Sequence, residues 1–243
     1  MNLIIDIGNT KTKLGVFEEG VLIKKLTWEQ WDLPKLQKLL RQWKIQSIAL
    51  SVVGATKIEV EQYLAENFDF LKLSAKTSLP IQNLYGTPKT LGKDRLAAVM
   101  GAYQLFPAHT CLVIDAGTCI TYDLLTKTGD YLGGNITPGV KMRLQAMQHF
   151  TARLPLVRQQ KTEKILGTTS VTAIRTGAQF GAVFEMEGFI KAYRKEFGRL
   201  KVILTGGAAD FFANHLKTKI FVEPNLVFLG LNKILNHNVQ SLE

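Results

Sequence analysis

The chain has 243 residues, 46% hydrophobic and 21% charged, the balance of a globular protein with room for one large domain or two small ones. Its formal net charge is +10, but the basic residues are scattered, with no basic tail, zinc-ligand spacing or helix-turn-helix, which argues for anionic small substrates over nucleic acid. No stretch reaches the roughly 18 apolar residues of a membrane span. The sequence runs at once into a strand rather than a signal peptide, and a disulfide between its only cysteines, Cys111 and Cys119, would close a very short loop, so reduced thiols and a cytoplasmic protein are expected.

Leu3-Ile4-Ile5 reads as a buried strand running into the polar turn Asp6-Ile7-Gly8-Asn9-Thr10, with Leu14 to Phe17 as a second strand. The unit is a β-hairpin with a carboxylate at the end of its first strand. Such a carboxylate can hold a metal ion or a metal-bound water. Gly8 lets phosphate oxygens approach backbone N–H groups, and Thr10, Thr12, Lys11 and Lys13 add donors. One copy is equally an ordinary surface hairpin. Val21 to Leu26 continues the sheet. Leu33 to Trp43 has helical spacing behind an Asp32 cap and Pro34, and Ser47 to Val53 is a buried strand ending at Gly54. Lys57 to Asn67 is a helix that turns Ile58, Tyr63 and Leu64 to the core, and Phe70 to Leu73 is a short strand. The order is that of a mixed α/β domain.

Residues 81–95 are rich in Gly, Pro, Asn and Thr and read as a loop ending in Gly92-Lys93-Asp94-Arg95, ahead of an apolar helix from Leu96. Asp94 has two readings. It is a helix-capping carboxylate, or a general base that takes a proton from a substrate hydroxyl while Arg95 binds an anionic group.

Leu112-Val113-Ile114-Asp115-Ala116-Gly117-Thr118 then repeats the first hairpin: aliphatic strand, Asp, Gly, hydroxyl. The two aspartates are too far apart for a solenoid repeat and are spaced as two small domains would be. Two such hairpins facing each other would grip a polyphosphate from both sides. Tyr131 to Gly139 is a strand broken by Gly133-Gly134, which suggests a close approach of ligand or backbone. Val140 to Phe150 is an amphipathic helix and Arg153 to Gly167 a loop. Thr168-Thr169-Ser170 caps a helix from Val171 to about Arg194, in which Gly177, Gly181 and Gly188 are expected to permit close helix packing. Val202 to Thr205 leads into the Gly206-Gly207 turn, and a last helix covers Leu231 to about Asn236.

The two Asp-Gly hairpins and the late Thr205-Gly206-Gly207 turn resemble the superfamily of acetate and sugar kinases, heat-shock chaperones and actin. Within it, Asp6-Ile7-Gly8-Asn9-Thr10, Gly92-Lys93-Asp94-Arg95, Asp115-Ala116-Gly117-Thr118 and Gly133 to Gly139, in this order, look like the bacterial type III pantothenate kinases, and the resemblance covers the whole chain. It implies an α/β fold of two ribonuclease-H-like domains, with mixed β-sheets flanked by helices, divided here as residues 1–107 and 108–243. It implies a homodimer that uses ATP to phosphorylate pantothenate to phosphopantothenate, the first step of coenzyme A synthesis. Mg2+ or another divalent ion and K+ or NH4+ would be required. Carried over by position, Asp6, Ile7, Gly8, Asn9, Thr10, Lys11, Thr12 and Lys13 would form the first phosphate loop, and Thr118 would touch ATP. Asp94 would be the general base, with Gly92, Lys93 and Arg95 around the substrate and Tyr85 lining the pantothenate pocket. Asp115 would hold the monovalent cation. Ser170 stands where the family usually has threonine and keeps the hydroxyl; Leu96 stands where the family often has tryptophan. The alternative is a non-catalytic accessory transcription regulator related to the same family. Retention of Asp6, Asp94, Arg95 and Asp115 favours the enzyme.

Overall fold

The computed structural model describes residues 1–8, 11–29, 33–52, 58–162 and 164–239. The opening hairpin forms as its alternation predicts. Strand β1 (Asn2–Ile7) pairs antiparallel with β2 (Thr12–Glu18), which turns into β3 (Val21–Trp28). That turn uses Glu19 at φ 49° and Gly20 at φ 83°, the positive-φ pair that suits a two-residue hairpin. After helix α1 (Leu33–Gln42), β4 (Ser47–Val52) lies parallel to β1. After α2 (Ile58–Asn67), β5 (Asp69–Lys72) lies parallel to β4. The sheet order is β3-β2-β1-β4-β5. Leu3, Ile5, Leu14, Val16, Ile48 and Leu50 cover one face and pack with Leu36, Leu39 and Leu40 of α1 and Val60 and Leu64 of α2. The expected Asp32 cap, the Gly54 strand end and Val53 lie outside the described residues. Ile58, expected in the core, is 70% exposed, because α2 turns Val60 and Leu64 inward instead.

The loop expected over residues 81–95 contains one short strand, β6 (Gln82–Asn83), and α3 (Lys93–Leu105) begins earlier than expected, so Lys93, Asp94 and Arg95 form its first turn. Next come β7 (Cys111–Ala116), β8 (Cys119–Leu125) and β9 (Asp130–Pro138), then α4 (Val140–His149) and α5 (Ser170–Phe197), and then β10 (Lys201–Thr205), α6 (Ala209–Ala213) and β11 (Phe221–Val222). β7 is antiparallel to β8 and parallel to β10, and β10 is parallel to β11; the strands run β9-β8-β7-β10-β11, with β6 added beside β9 as a sixth. Counted within each sheet, the same arrangement 3-2-1-4-5 therefore occurs twice, which is the duplication the paired motifs predicted. Leu112, Ile114, Ile120 and Leu124 of the second sheet pack with Leu144 of α4 and Ile174, Ala178, Ala182, Met186 and Ile190 of α5.

The compact units are not two contiguous halves. The first comprises Met1–Ala108, Thr128–Leu132 and the chain from Asn225 on; the second comprises His109–Lys127 and Gly133–Pro224. The start of β9 pairs with β6 in the first unit (Gln82↔Asp130, Asn83↔Tyr131). The last helix, α7 (Leu226–Val239), returns to the first unit and is twice as long as its expected span. The expected last helix starts at Leu231, just after Gly230. In the structure Gly230 is where α7 crosses α3: a Cβ on Gly230 would lie 1.7 Å from Ala97 O, and one on Gly101 would lie 2.3 Å from Leu226 O. Asn2 Nδ2 donates to Asn232 Oδ1 and Asn236 Oδ1 at 2.8 and 2.7 Å, tying α7 to the start of β1. The glycines expected to pack closely in α5 do not do so: a Cβ on Gly177, Gly181 or Gly188 would meet nothing within 4 Å.

Gly230→Ala is expected to force two backbones apart and cost about 1–3 kcal/mol, as overpacking does, read by urea denaturation. A variant as stable as the wild type would show that the crossing has slack.

Candidate active site

Residues of β1 alternate between faces, so Ile4 and Asp6 point away from the α1–α2 layer. Asp6 is 8% exposed. Its register partners are Lys13 on β2 and Ser51 on β4. Ser51 is wholly buried, and neither its hydroxyl nor Asp6 Oδ1 makes a hydrogen bond of normal geometry. Burial pushes the Asp6 carboxyl above its ordinary range. The Lys13 charge and the nearby Ser51 hydroxyl pull it down, and the Asp94 charge pushes it up again. A buried carboxylate with an orphaned oxygen suits a cation or a metal-bound water, which would supply the missing partner.

Asp94 reaches this neighbourhood because α3 is buried almost all round, from Arg95 to Ala102. The N-cap of α3 is Gly92, not Asp94. Asp94 Oδ1 accepts the N–H of Arg95 at 2.8 Å, so it serves one of the helix's first amides without being the cap. The fold-back needs Gly92, where a Cβ would lie 2.6 Å from Asp94 Oδ1. Arg95 is 5% exposed and its guanidinium lies 5.4 Å from the centre of the Tyr85 ring. Tyr85 in turn stacks on Tyr131, with centroids 6.2 Å apart. The Tyr85 N–H donates to Asn83 Oδ1 at 3.0 Å, and the Leu84 N–H to Tyr131 O at 2.9 Å, so β6 and the start of β9 place this stack. Lys93 is half-buried and lines a separate cavity of about 180 Å3 with Ser74, Asn83 and Lys89.

In the first unit the fold thus gathers Asp6, Lys13, Asp94, Arg95 and Tyr85. Ile7, Gly8, Lys11 and Thr12 complete the hairpin around them, with Lys11 exposed and Thr12 buried. Asn9 and Thr10 lie outside the described residues. The Gly8 N–H is used within the hairpin itself, donating to Lys11 O at 3.1 Å. In the second unit Asp115 and Thr118 share one turn, and the Gly117 N–H is likewise engaged, by Cys119 O at 2.9 Å. Gly206, at φ 95°, closes on this turn: a Cβ there would lie 2.3 Å from Asp115 Oδ1. Ser170 is exposed as the first residue of α5. Within the expected capping run Thr168-Thr169-Ser170, the cap is Thr169, which accepts the Thr172 N–H at 3.2 Å in a reciprocal capping box. Among the described residues no three His, Cys, Asp or Glu side chains converge as a metal site. A cation here would rest on one carboxylate with backbone and phosphate oxygens.

Sequence reasoning missed Ser51 and Tyr131. Ser51 had a signal: it is the polar residue next to the end of the otherwise apolar strand, in register with Asp6. Tyr131 had none, because only the β6–β9 pairing brings it under Tyr85.

The pKa of Asp6 is raised in the folded protein, so the stability it lends at acid pH is lost as pH rises through the folded value. Asp6→Asn is therefore expected to melt above the wild type at neutral pH in nucleotide-free, metal-free buffer, with the gap closing towards about pH 4. Thermal scans across that range measure it. A variant that melts lower at neutral pH would mean that the carboxylate is well satisfied.

Residues 2–192 match the sequence profile of the type III pantothenate kinases. The chain is 43% identical over 239 residues to a type III pantothenate kinase from Phocaeicola vulgatus, covering 98% of this chain and 99% of that one. Among solved structures it is similar to one described as a Baf family transcriptional activator from Campylobacter jejuni, with a TM-score of 0.61 and 24% identity over 98% of this chain and 99% of that one. It is also similar to one described as an N-acetylmannosamine kinase from Listeria monocytogenes, with a TM-score of 0.59 and 14% identity over 100% of this chain and 99% of that one. The structural likenesses carry the fold, a duplicated α/β kinase architecture; the sequence match carries the family, and the chain belongs to the type III pantothenate kinases.

Proposed function

We infer that this protein transfers the terminal phosphoryl group of ATP to the primary hydroxyl of pantothenate, the first step of coenzyme A synthesis. The observation that carries the reading beyond the family is that Asp94, on the first turn of a buried helix, lies near enough to the buried Asp6 at the end of β1 for its charge to raise the Asp6 pKa. Phosphoryl transfer passes through a loose transition state, so the protein's work is positioning and charge. Asp94 accepts the hydroxyl proton as the oxygen attacks, and its fixed bond to the Arg95 N–H holds it in place. Arg95, Tyr85, Gly92, Lys93 and Ser170 contact pantothenate, with Arg95 matched to its carboxylate. The hairpin from Asp6 to Lys13 contacts the phosphates. Asp6 would hold the divalent ion or one of its waters, and that ion would neutralise charge on the phosphates. Thr118 contacts ATP, and Asp115 holds K+ or NH4+ with help from backbone carbonyls. The net charge of +10 draws the anionic substrates. Free Cys111 and Cys119, and the absence of any helix among the described residues long and apolar enough to cross a membrane, fit action in the cytoplasm. The regulator reading has no feature of its own in support, since the likeness to the Baf structure, at 24% identity, carries the fold alone.

Homodimerisation belongs to the same reading. Gly177, Gly181, Phe184 and Gly188 share one face of α5 by their spacing. The glycines are bare and Phe184 is 57% exposed, with Val171 41% exposed a turn and a half before Gly177. An apolar helix face this open suits a second copy of the chain. Sedimentation should find a dimer, and Phe184→Asp should give monomers; a wild type that sediments as a monomer at micromolar concentration sinks the dimer.

Asp94→Asn is expected to lower pantothenate-dependent ADP release by about 10²–10⁴-fold while leaving the melting temperature near that of the wild type. Wild-type activity should rise strongly with K+ or NH4+ and weakly with Na+, and Asp115→Ala should flatten the response. Near-normal turnover by folded Asp94→Asn would return Asp94 to a purely structural role, and indifference to K+ would remove the cation from Asp115.

A further inference from the structure

The turn that carries Asp115 and Thr118 is walled by backbone on two sides. On one side, Gly206 leaves no room for a Cβ, and the Ala208 N–H donates to Ala116 O at 2.9 Å. On the other, the Gly139 N–H donates to Thr118 O at 3.0 Å, and a Cβ on Gly139 would lie 2.5 Å from both the Gly117 and Thr118 carbonyl oxygens. The turn therefore sits where the Pro138–Gly139 corner puts it. No side chain cushions the contact, so any shift of the corner passes directly to the turn.

Arg143 holds the corner. It lies in the first turn of α4, where its N–H donates to Gly139 O at 3.0 Å and its Nε donates to Pro138 O at 2.8 Å. Its Nη2 lies 2.7 Å from both carboxylate oxygens of Glu185, in the middle of α5. The two side chains are 21% and 27% exposed, sheltered enough for a pair to hold one geometry. One planar guanidinium thus spans from the corner to a second helix. Lysine cannot do this, because it has no fork. The wall behind the pair is firm: the Tyr122 ring lies 4.4 Å from the Phe189 ring centre, and Gly134 crosses the Tyr122 carbonyl so closely that a Cβ would lie 1.6 Å from it. The Tyr122 hydroxyl lies near Thr137 and Glu185, but neither it nor the Thr137 hydroxyl makes a hydrogen bond of normal geometry, so the well-formed side-chain bond to the corner comes from Arg143.

We propose that Arg143, held by Glu185, is a positioning residue for the nucleotide: it fixes the Pro138–Gly139 corner and, through it, the Gly117–Thr118 turn. The proposal rests on the reading of that turn as a contact for ATP and the monovalent cation. Arg143 touches neither ligand, and its effect is confined to the geometry of the turn. Its loss should weaken ATP binding and leave pantothenate binding unchanged.

The test measures the Kd of Mg-ATP by titration calorimetry, alongside KM for ATP and for pantothenate, in wild type, Arg143→Met, Arg143→Lys and Glu185→Gln. Arg143→Met should raise the Kd and KM for ATP about tenfold or more, the scale of one charge-assisted hydrogen bond, with KM for pantothenate within about twofold of wild type. Arg143→Lys should not restore the ATP value. Glu185→Gln keeps the Nε bond to Pro138 and should raise the Kd by a smaller factor, about threefold. A role in stability alone would lower the melting temperature and the active fraction without moving the ATP constants, and that outcome overturns the proposal. If Arg143→Met fails to fold, Glu185→Gln decides: an unchanged Kd for Mg-ATP overturns the proposal. A wild type that binds no Mg-ATP overturns the proposal together with the reading of the turn. A wild type that binds and turns over ATP beside variants with unchanged ATP constants overturns the proposal alone.

Discussion

Contact between the backbones of α3 and α7 is the constraint on which the first unit depends. Gly101 and Gly230 remove the Cβ atoms that would hold the two helices apart, and the carbonyls of Ala97 and Leu226 fill the space. α3 thereby becomes a helix buried on every side, with an arginine among its buried residues. A helix fixed in this way carries its first turn as a rigid platform, and Asp94 and Arg95 stand on that turn. The same crossing draws the end of the chain back across the first sheet, where Phe228 packs against Gly15 and two α7 asparagines accept from Asn2. The proposed base and the proposed phosphate hairpin are thus held in one unit by packing.

The two hairpins show how one local motif acquires two chemistries. Asp6 and Asp115 occupy equivalent positions at the ends of β1 and β7. Asp6 is buried against Ser51, under the charge of Asp94, and burial raises its pKa. Asp115 is only half-buried and faces a glycine whose missing side chain leaves its oxygen room. A buried carboxylate costs stability until a cation meets it, whereas a half-exposed one can bind a weakly held ion at little cost. This difference in surroundings fits the division of labour proposed for them, a divalent ion at one and a monovalent ion at the other.

A second carboxylate shows the opposite solution. Glu187 on α5 accepts from the Lys217 and Thr218 amides at 2.7 and 3.1 Å and from the Thr218 hydroxyl at 2.7 Å. Burial pushes its pKa up, but these donors and Arg194 outweigh it and leave the group below the ordinary range. Glu187 is thus well supplied with donors, whereas Asp6 keeps an orphaned oxygen.

By itself the sequence determined the order of the main strands and helices, the duplication and the residue types of both turns, but not the short elements β6, α6 and β11. The strands alternate or run apolar with period two, glycines and hydroxyls punctuate them, and such signals are local. Asp6, Asp94, Asp115 and Arg95 were legible for the same reason, since each sits in a short motif at a strand or helix end. Tertiary structure decided what local patterns do not encode. Gly230 read as the residue just ahead of the last helix, yet it lies inside that helix at a tight crossing, because a glycine's meaning depends on what approaches it. Gly177, Gly181 and Gly188 read as packing residues, yet among the described residues nothing lies within 4 Å of where their Cβ atoms would be. Ile58 read as core, yet α2 rotates it to solvent. Tyr131 and Ser51 join the candidate site, and Arg143 its proposed support, only through pairings between residues far apart in the chain, and a periodicity read along one strand contains no information about which distant backbone will lie against it.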